Sequence, residues 1–287
     1  MHTHGGFDFF LILKESIGIT VIIFVLMIVV EFLELKFSSK LKKYLTGNFF
    51  IQNVTSSLLG ATPGCAGVYV VDSLYMAGIV GFGSIVAATV TTFGDEAFYL
   101  FAKSPKIALI LTGITIILGI IGGYIARLVE QKLKLKFKPA CCIEHHHDEE
   151  EHPKIDLKHF MFEHIWVHIF KKHIFKIFLW LFISLLLIAF LNEYVDLADT
   201  LFEHKLETLF LAAIIGLLPI SGPNIFFISL YLAGTIPFSI LLVSSIVQDG
   251  HGLLPILGYS LEDAFKIKIF NVIYGLAITL PLLFLGY

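Results

Sequence analysis

Apolar residues along this chain run in long unbroken stretches rather than in alternation. The clearest are Ile17 to Val30 with its flanks, Ile79 to Val90, Ile107 to Ile125, Ile177 to Leu191 and Ile269 to Leu285. A helix needs about 20 apolar residues to cross a bilayer core. The short alternating strands of a membrane barrel do not occur in the pattern. The prediction is an all-α polytopic membrane protein. Two apolar regions are interrupted by helix breakers, "GATPGCAG" (Gly60 to Gly67) and "GLLPISGPN" (Gly216 to Asn224). Proline removes a backbone donor and biases the preceding residue away from helix. Backbone groups freed in this way cannot face lipid. The breaks at Gly60, Pro63, Cys65, Pro219, Ser221 and Gly222 are therefore expected to lie in protein or line a wet path. Spanning and re-entrant versions of these broken pairs both fit the pattern.

The two interrupted regions also resemble each other. A shift of 156 residues aligns them without a gap, and seven of the 19 positions from Gly60 to Gly78 are then identical. The matched residues include Gly60 with Gly216, Pro63 with Pro219, and "SLYxAG" from Ser73 with the same motif from Ser229. Each half reads as a full span, a broken pair, a polar-tipped helix and a final span, which gives about five hydrophobic elements per half and ten in all. The predicted organisation is a first transmembrane repeat over 1–128, a His- and acid-rich loop with an interfacial segment over 129–173, and a second repeat over 174–287.

Composition agrees with the pattern: 57% of the 287 residues are hydrophobic, 15% are charged, and the mean hydropathy is +0.86. The net charge of −3 decides little, because in a membrane protein the placement of charges matters. Lys36, Lys40, Lys42 and Lys43 follow the first span, and Arg127, Lys132, Lys134, Lys136 and Lys138 follow the Ile107 span. The positive-inside rule assigns both loops to the cytoplasm. Glu193, Asp196, Asp199, Glu203 and Glu207 then lie outside, and Lys266 and Lys268 put the start of the last span inside. Both termini are expected to face out. With this orientation the halves run in opposite directions, an inverted-topology repeat of the kind many secondary transporters use. The first apolar run is too long for a cleaved signal and lacks a small-residue cleavage site, so it is expected to stay as a span. Three cysteines, two of them in the acidic loop, do not make a disulfide framework.

Charge also appears where lipid should be the nearest solvent. Asp95 and Glu96 stand five and six residues after the apolar run Ile79–Val90, and the same shift places Gly94-Asp95-Glu96 on Gly250-His251-Gly252, with Asp249 one step before. From Gly234 to Asp249 is roughly 22 Å if the segment is helical throughout, deep in a core about 30 Å thick. A carboxylate there costs several kcal/mol unless paired or coordinated. Thr91 and Thr92 are expected on the same helix face as Asp95, and Gln248 matches Thr92. Asp95, Glu96, Asp249, His251 and Gln248, with Asn224 and Thr92 as lesser candidates, would offer oxygens and one imidazole near the midplane. Such a set suits Mn²⁺, Fe²⁺ or a similar divalent cation. Asp95, Glu96 and His251 are also the candidate proton carriers. Cys65 can be read either as a ligand or as a small buried apolar residue.

The loop "CCIEHHHDEEEHP" packs Cys141, Cys142, His145, His146, His147 and His152 among five acids. Imidazole and thiolate favour transition metals, but the spacing is not that of a closed zinc site. The expected role is labile metal capture on the cytoplasmic side. His159, His164, His168 and His173 continue along an aromatic amphipathic stretch expected at the membrane interface.

The paired segments "GATPGCAGVYVVDSLYMAG" and "GLLPISGPNIFFISLYLAG" resemble the repeats of the ten-helix heavy-metal exporters, a group related in pattern to the ArsP-type arsenical permeases. The resemblance covers both halves, from Phe9 to Tyr287, outside the His-rich loop. It implies an integral protein of a prokaryotic cell membrane that exports manganese or arsenic. ArsP-like permeases are associated with a Cys-containing break; here only the first half carries one, Cys65, and Ser221 stands in the second. Trivalent arsenic prefers several thiols, so the oxygen-rich clusters point to a divalent cation, Mn²⁺ foremost, as the transported ligand. No tightly bound cofactor is expected. The partners implied are lipid, the metal ion and protons as coupling ion, with no nucleic acid, and self-association stays open. Two other readings also stay open: a permease for arsenite, an organoarsenical or another small solute working through Cys65, and an intramembrane metal-dependent enzyme. The sequence has no HExxH motif and no P-loop, which argues against the enzyme and against an ATP-driven pump within this chain.

Overall fold

The computed structural model describes residues 9–45, 48–134, 174–194, 200–201, 203–219 and 222–287. Among them are twelve helices and no strand. The first six are α1 (Phe9–Leu45), α2 (Phe49–Gly60), α3 (Ala66–Met76), α4 (Phe82–Thr91), α5 (Glu96–Lys103) and α6 (Pro105–Leu133). The second six are α7 (Phe175–Tyr194), α8 (Lys205–Gly216), α9 (Gly222–Leu232), α10 (Phe238–Val247), α11 (Leu254–Tyr259) and α12 (Leu261–Phe284). At the shift of 156, α2 coincides with α8, α3 with α9 and α4 with α10 at both ends.

Among the described residues each half carries six helices where five hydrophobic elements are expected, because a short helix, α5 or α11, separates the polar turn from the last long helix. Gly94 and Gly250 adopt left-handed φ angles of 57° and 54°, which only glycine takes without penalty. They lie just beyond the extended Thr92 and Gln248 that end the preceding helices, and they turn the chain so that a new helix can start. Ser104 followed by Pro105, and Ser260 whose hydroxyl accepts from the Asp263 N–H at 3.3 Å, then end the short helix and begin the long one. Proline suits the first helical turn because its missing N–H has no partner there.

Three described helices are long and apolar enough to cross a membrane: α1 over Phe9–Val29, α6 and α12. Helices α4, α9 and α10 and the Phe175–Leu191 part of α7 are apolar but shorter. The ten residues of α10 span about 15 Å, half a bilayer core. The roughly 22 Å of continuous helix expected before Asp249 is therefore not formed; the chain turns at Gly234, restarts at Phe238 and ends its helix at Val247.

Every residue of α4 is buried, and so is α10 from Ser239 to Val247. Helix α4 packs between α2 and α6, α10 packs between α8 and α12, and α4 meets α10 at the centre. In the first half polar side chains tie this packing together. Asn53 donates to the Ile120 carbonyl at 2.7 Å, Ser57 donates to the Ile116 carbonyl at 2.9 Å, and the Ser57 and Thr91 hydroxyls lie 3.0 Å apart. A Cβ at Gly119 would stand 2.1 Å from Thr91 Oγ1 and 2.8 Å from the Ala87 carbonyl, so α6 approaches α4 as closely as only glycine permits. The outward face of α6 exposes Leu109, Ile117, Ile121, Tyr124 and Leu128, and that of α12 exposes Phe265, Ile269 and Ile273, as lipid-facing surfaces require.

Candidate ion-binding site at the crossing of the two halves

Helix α4 ends at Thr91 and the chain becomes extended at Thr92 (ψ 137°); α10 ends at Val247 and extends at Gln248 (ψ 140°). In both turns the side-chain oxygen caps the glycine two residues on. Thr92 Oγ1 accepts from the Gly94 N–H at 3.3 Å, and Gln248 Oε1 accepts from the Gly250 N–H at 3.0 Å. The expectation that Thr91 and Thr92 share a helix face with Asp95 is thereby corrected, since no helix joins them. Asp95 instead stands at the N-cap of α5 and Glu96 is its first residue. The helix start is the positive end of the dipole, which favours carboxylates.

The breaks of one half cross the polar turn of the other. Cys65, at the start of α3, is buried; its sulfur lies against the His251 backbone N–H and within electrostatic range of Asp95, Glu96 and Asp249. A Cβ on Gly252 would meet Val68 of α3 at 3.0 Å. Reciprocally, α5 packs on α9, where the Tyr99 and Ser229 hydroxyls lie 2.8 Å apart. The Gly64 N–H also donates to the Gly94 carbonyl at 3.0 Å, tying the first break to its own polar turn. Asp95, Glu96, His251, Gly222, Trp180 and Lys176 line a cavity of about 270 Å³.

Glu96 is 0% exposed, and neither of its oxygens has a partner on another described residue; the carboxylate leans only on its own backbone N–H. Asp95 is 5% exposed. Asp249 is equally buried, but its Oδ1 is 2.5 Å from the Lys268 ammonium. It stays in electrostatic range of Glu96. Asn224 accepts from the Ser244 hydroxyl through Oδ1, while its amide nitrogen and that of Gln248 have no partner among the described residues. Among the described residues, no three His, Cys, Asp or Glu side chains stand close enough together to hold a metal ion.

Of the residues singled out from sequence, the structure thus brings Asp95, Glu96, His251, Cys65 and Gly222 to one place. Asp249 stands beside them with its own cation, and Thr92, Gln248 and Asn224 make local hydrogen bonds. Gly60 ends α2, and a Cβ there would lie 2.2 Å from the Ala88 carbonyl, so its role is close packing. Pro63 lies in the turn between α2 and α3, and Pro219 in the segment after α8. Ser221 lies outside the described residues, as do Cys141, Cys142, His145, His146, His147 and His152 and the histidines from His159 to His173.

Two buried charges escaped the sequence reading. Asp72 on α3 is 0% exposed, neither oxygen has a partner among the described residues, and it feels the charge of Asp249. Its signal was an acid inside "YVVDSLY", hidden because the matching residue of the second half is Ile228. The charge pattern places Lys268 at the cytoplasmic edge with Lys266, but in the structure it is 7% exposed and turned inward. Its place inside the apolar run "KIKIF" was the available clue.

A family model described as "Putative, 10TM heavy-metal exporter" matches residues 6–205 and 171–286. No curated protein and no solved structure matches the chain.

Proposed function

We propose, from the premise that the chain belongs to this ten-span heavy-metal exporter family, that it is a secondary-active exporter of a divalent transition-metal cation, Mn²⁺ foremost. One observation carries the reading: Asp95 and Glu96 of the first half and His251 of the second surround a single cavity where the broken helices cross. Carboxylate oxygens with one imidazole suit Mn²⁺, Fe²⁺ or Zn²⁺. Direct metal–ligand bonds are about 2.0–2.6 Å long, so binding draws the two polar turns together across the cavity. The crossing of each half's break with the other's polar turn, with the charge pattern that sets the halves in opposite directions, supports alternating access around a shared site. The cavity reaches Lys176 at the start of α7, the end that the charge pattern assigns to the cytoplasm, and we read this conformation as inward-open. Moving a divalent cation out against a negative interior costs about 4.6 kcal/mol per 100 mV. Protons are the proposed coupling ion, with Asp95, Glu96 and His251 as carriers.

Cys65 supports a second reading. Its thiol stands at the same crossing, so a permease for arsenite or an organoarsenical would take its solute at sulfur, beside that cavity. Vesicles containing the protein, assayed for uptake and efflux of Mn²⁺, Fe²⁺, Zn²⁺, Co²⁺ and arsenite, separate the two. Divalent transport that is lost in Asp95→Asn and Glu96→Gln and kept in Cys65→Ser supports the first reading. Arsenite transport lost only in Cys65→Ser supports the second.

A further inference from the structure

Lys268 sits in a cradle that its own repeat does not explain. Its ammonium has three N–H donors, and all three are used. They go to the Gly216 carbonyl at 2.9 Å, the Val247 carbonyl at 3.0 Å and Asp249 Oδ1 at 2.5 Å. Gly216 is the last residue of α8 and Val247 the last of α10. The charge therefore lies at two helix C-termini, where the aligned peptide dipoles place partial negative charge, and against a full carboxylate. Asp249 Oδ2 is buried beside it and has no partner on another described residue. At the shift of 156 the first half places Gly60, Thr91, Phe93 and Thr112 at these four positions. The fold closes there without any charge: Phe93 is buried, and Thr91 Oγ1 donates to the Ala87 carbonyl at 2.6 Å. A buried ion pair contributes little net stability compared with apolar residues of similar size, so the fold does not require this one.

We propose that the oxygens of Gly216, Val247 and Asp249 form a binding site for a small monovalent cation, alkali or alkylammonium, which Lys268 fills from within the chain. Lys268 is then a tethered cation that closes the site to mobile ions in the intact chain. The site is separate from the cavity at Asp95 and Glu96 and takes a different class of ion.

The test uses the full chain purified in detergent, with Lys268→Ala and Lys268→Gln. The Ala variant empties the cradle; the Gln variant keeps N–H donors for the carbonyls but removes the charge. Methylammonium chloride is compared with tetramethylammonium chloride, which has no N–H and is too large, at equal ionic strength. Methylammonium is expected to raise the melting temperature of Lys268→Ala by about 2 °C at ten times its dissociation constant, whereas Lys268→Gln, whose amide still occupies the cradle, is expected to respond equally to the two salts. Wild type, and Lys268→Ala combined with Asp249→Asn, are expected to respond equally to the two salts. If Lys268→Ala folds only when purified in methylammonium, the proposal is supported in another form. Melting temperatures of Lys268→Ala that do not distinguish the salts, or its failure to fold in either, overturn it. The readout is stability in monovalent salt, so it does not depend on whether a divalent metal is transported.

Discussion

Asp72 and Glu96 occupy positions that stability alone does not account for. Each is 0% exposed, and neither has a partner on another described residue. Leaving such a group buried costs about 1–3 kcal/mol or more. Asp72→Asn is therefore expected to raise stability by about 1 kcal/mol or leave it unchanged; melting curves of the purified variant check this. A loss of stability would mean that the carboxylate has a structural partner. Gly250 makes the opposite case. An alanine at its left-handed φ of 54° should destabilise the protein by about 1–2 kcal/mol and displace the adjacent Asp249 and His251, lowering metal affinity as well. Calorimetry of the variant measures both. At this scale the sequence was legible where an acid interrupts an apolar run in a position marked by the repeat, as at Asp95. It was not legible at Lys268, because a lysine near the start of a span reads as an interfacial cation, and only packing turned it inward.

Among the helices, the repeat predicts where α6 and α12 tolerate change. Gly119 and Gly275 correspond under the shift of 156, yet their surroundings differ. A Cβ at Gly119 would strike Thr91 Oγ1 at 2.1 Å and a backbone carbonyl at 2.8 Å, whereas at Gly275 it would meet the ends of Ile246 and Val247 side chains at 3.2 and 3.3 Å. Gly119→Ala should cost about 1–3 kcal/mol, and Gly275→Ala less than about 1 kcal/mol. Thermal shifts of the two purified variants, measured side by side, test the difference; equal costs would mean that α6 packs no more tightly than α12. The broken helices α2–α3 and α8–α9 were legible from Gly and Pro in apolar sequence. The short helices α5 and α11 were not, because a glycine turn inside a mostly apolar stretch leaves the hydrophobic pattern almost unchanged on either side.

For the molecule as a whole, all-helical character and membership of the exporter family follow from the twelve described helices and the family match. The direction of the two halves across the bilayer rests on the lysine and arginine pattern, now without Lys268. Cysteines introduced one at a time at the ends of α6 and α12, and labelled from one side of intact vesicles, should place the C-terminal end of α6 and the N-terminal end of α12 on the same side. Labelling from opposite sides would remove the inverted arrangement. The loop from Cys141 to His152 has no counterpart in the repeat, and its deletion should weaken transport at low metal concentration with little change in maximal rate. Abolished transport in a folded deletion variant would make the loop part of the pathway.

The central claim is that the transported cation binds between Asp95, Glu96 and His251. Electron paramagnetic resonance of Mn²⁺ added to the purified protein tests it most directly, because an imidazole ligand leaves a nitrogen coupling on the bound ion. The account predicts one tightly bound Mn²⁺ per chain with such a coupling, loss of the coupling in His251→Gln, and loss of most binding in Asp95→Asn with Glu96→Gln. Bound Mn²⁺ that keeps its nitrogen coupling in His251→Gln, or its affinity without the two acids, in protein lacking residues 141–152, would contradict it.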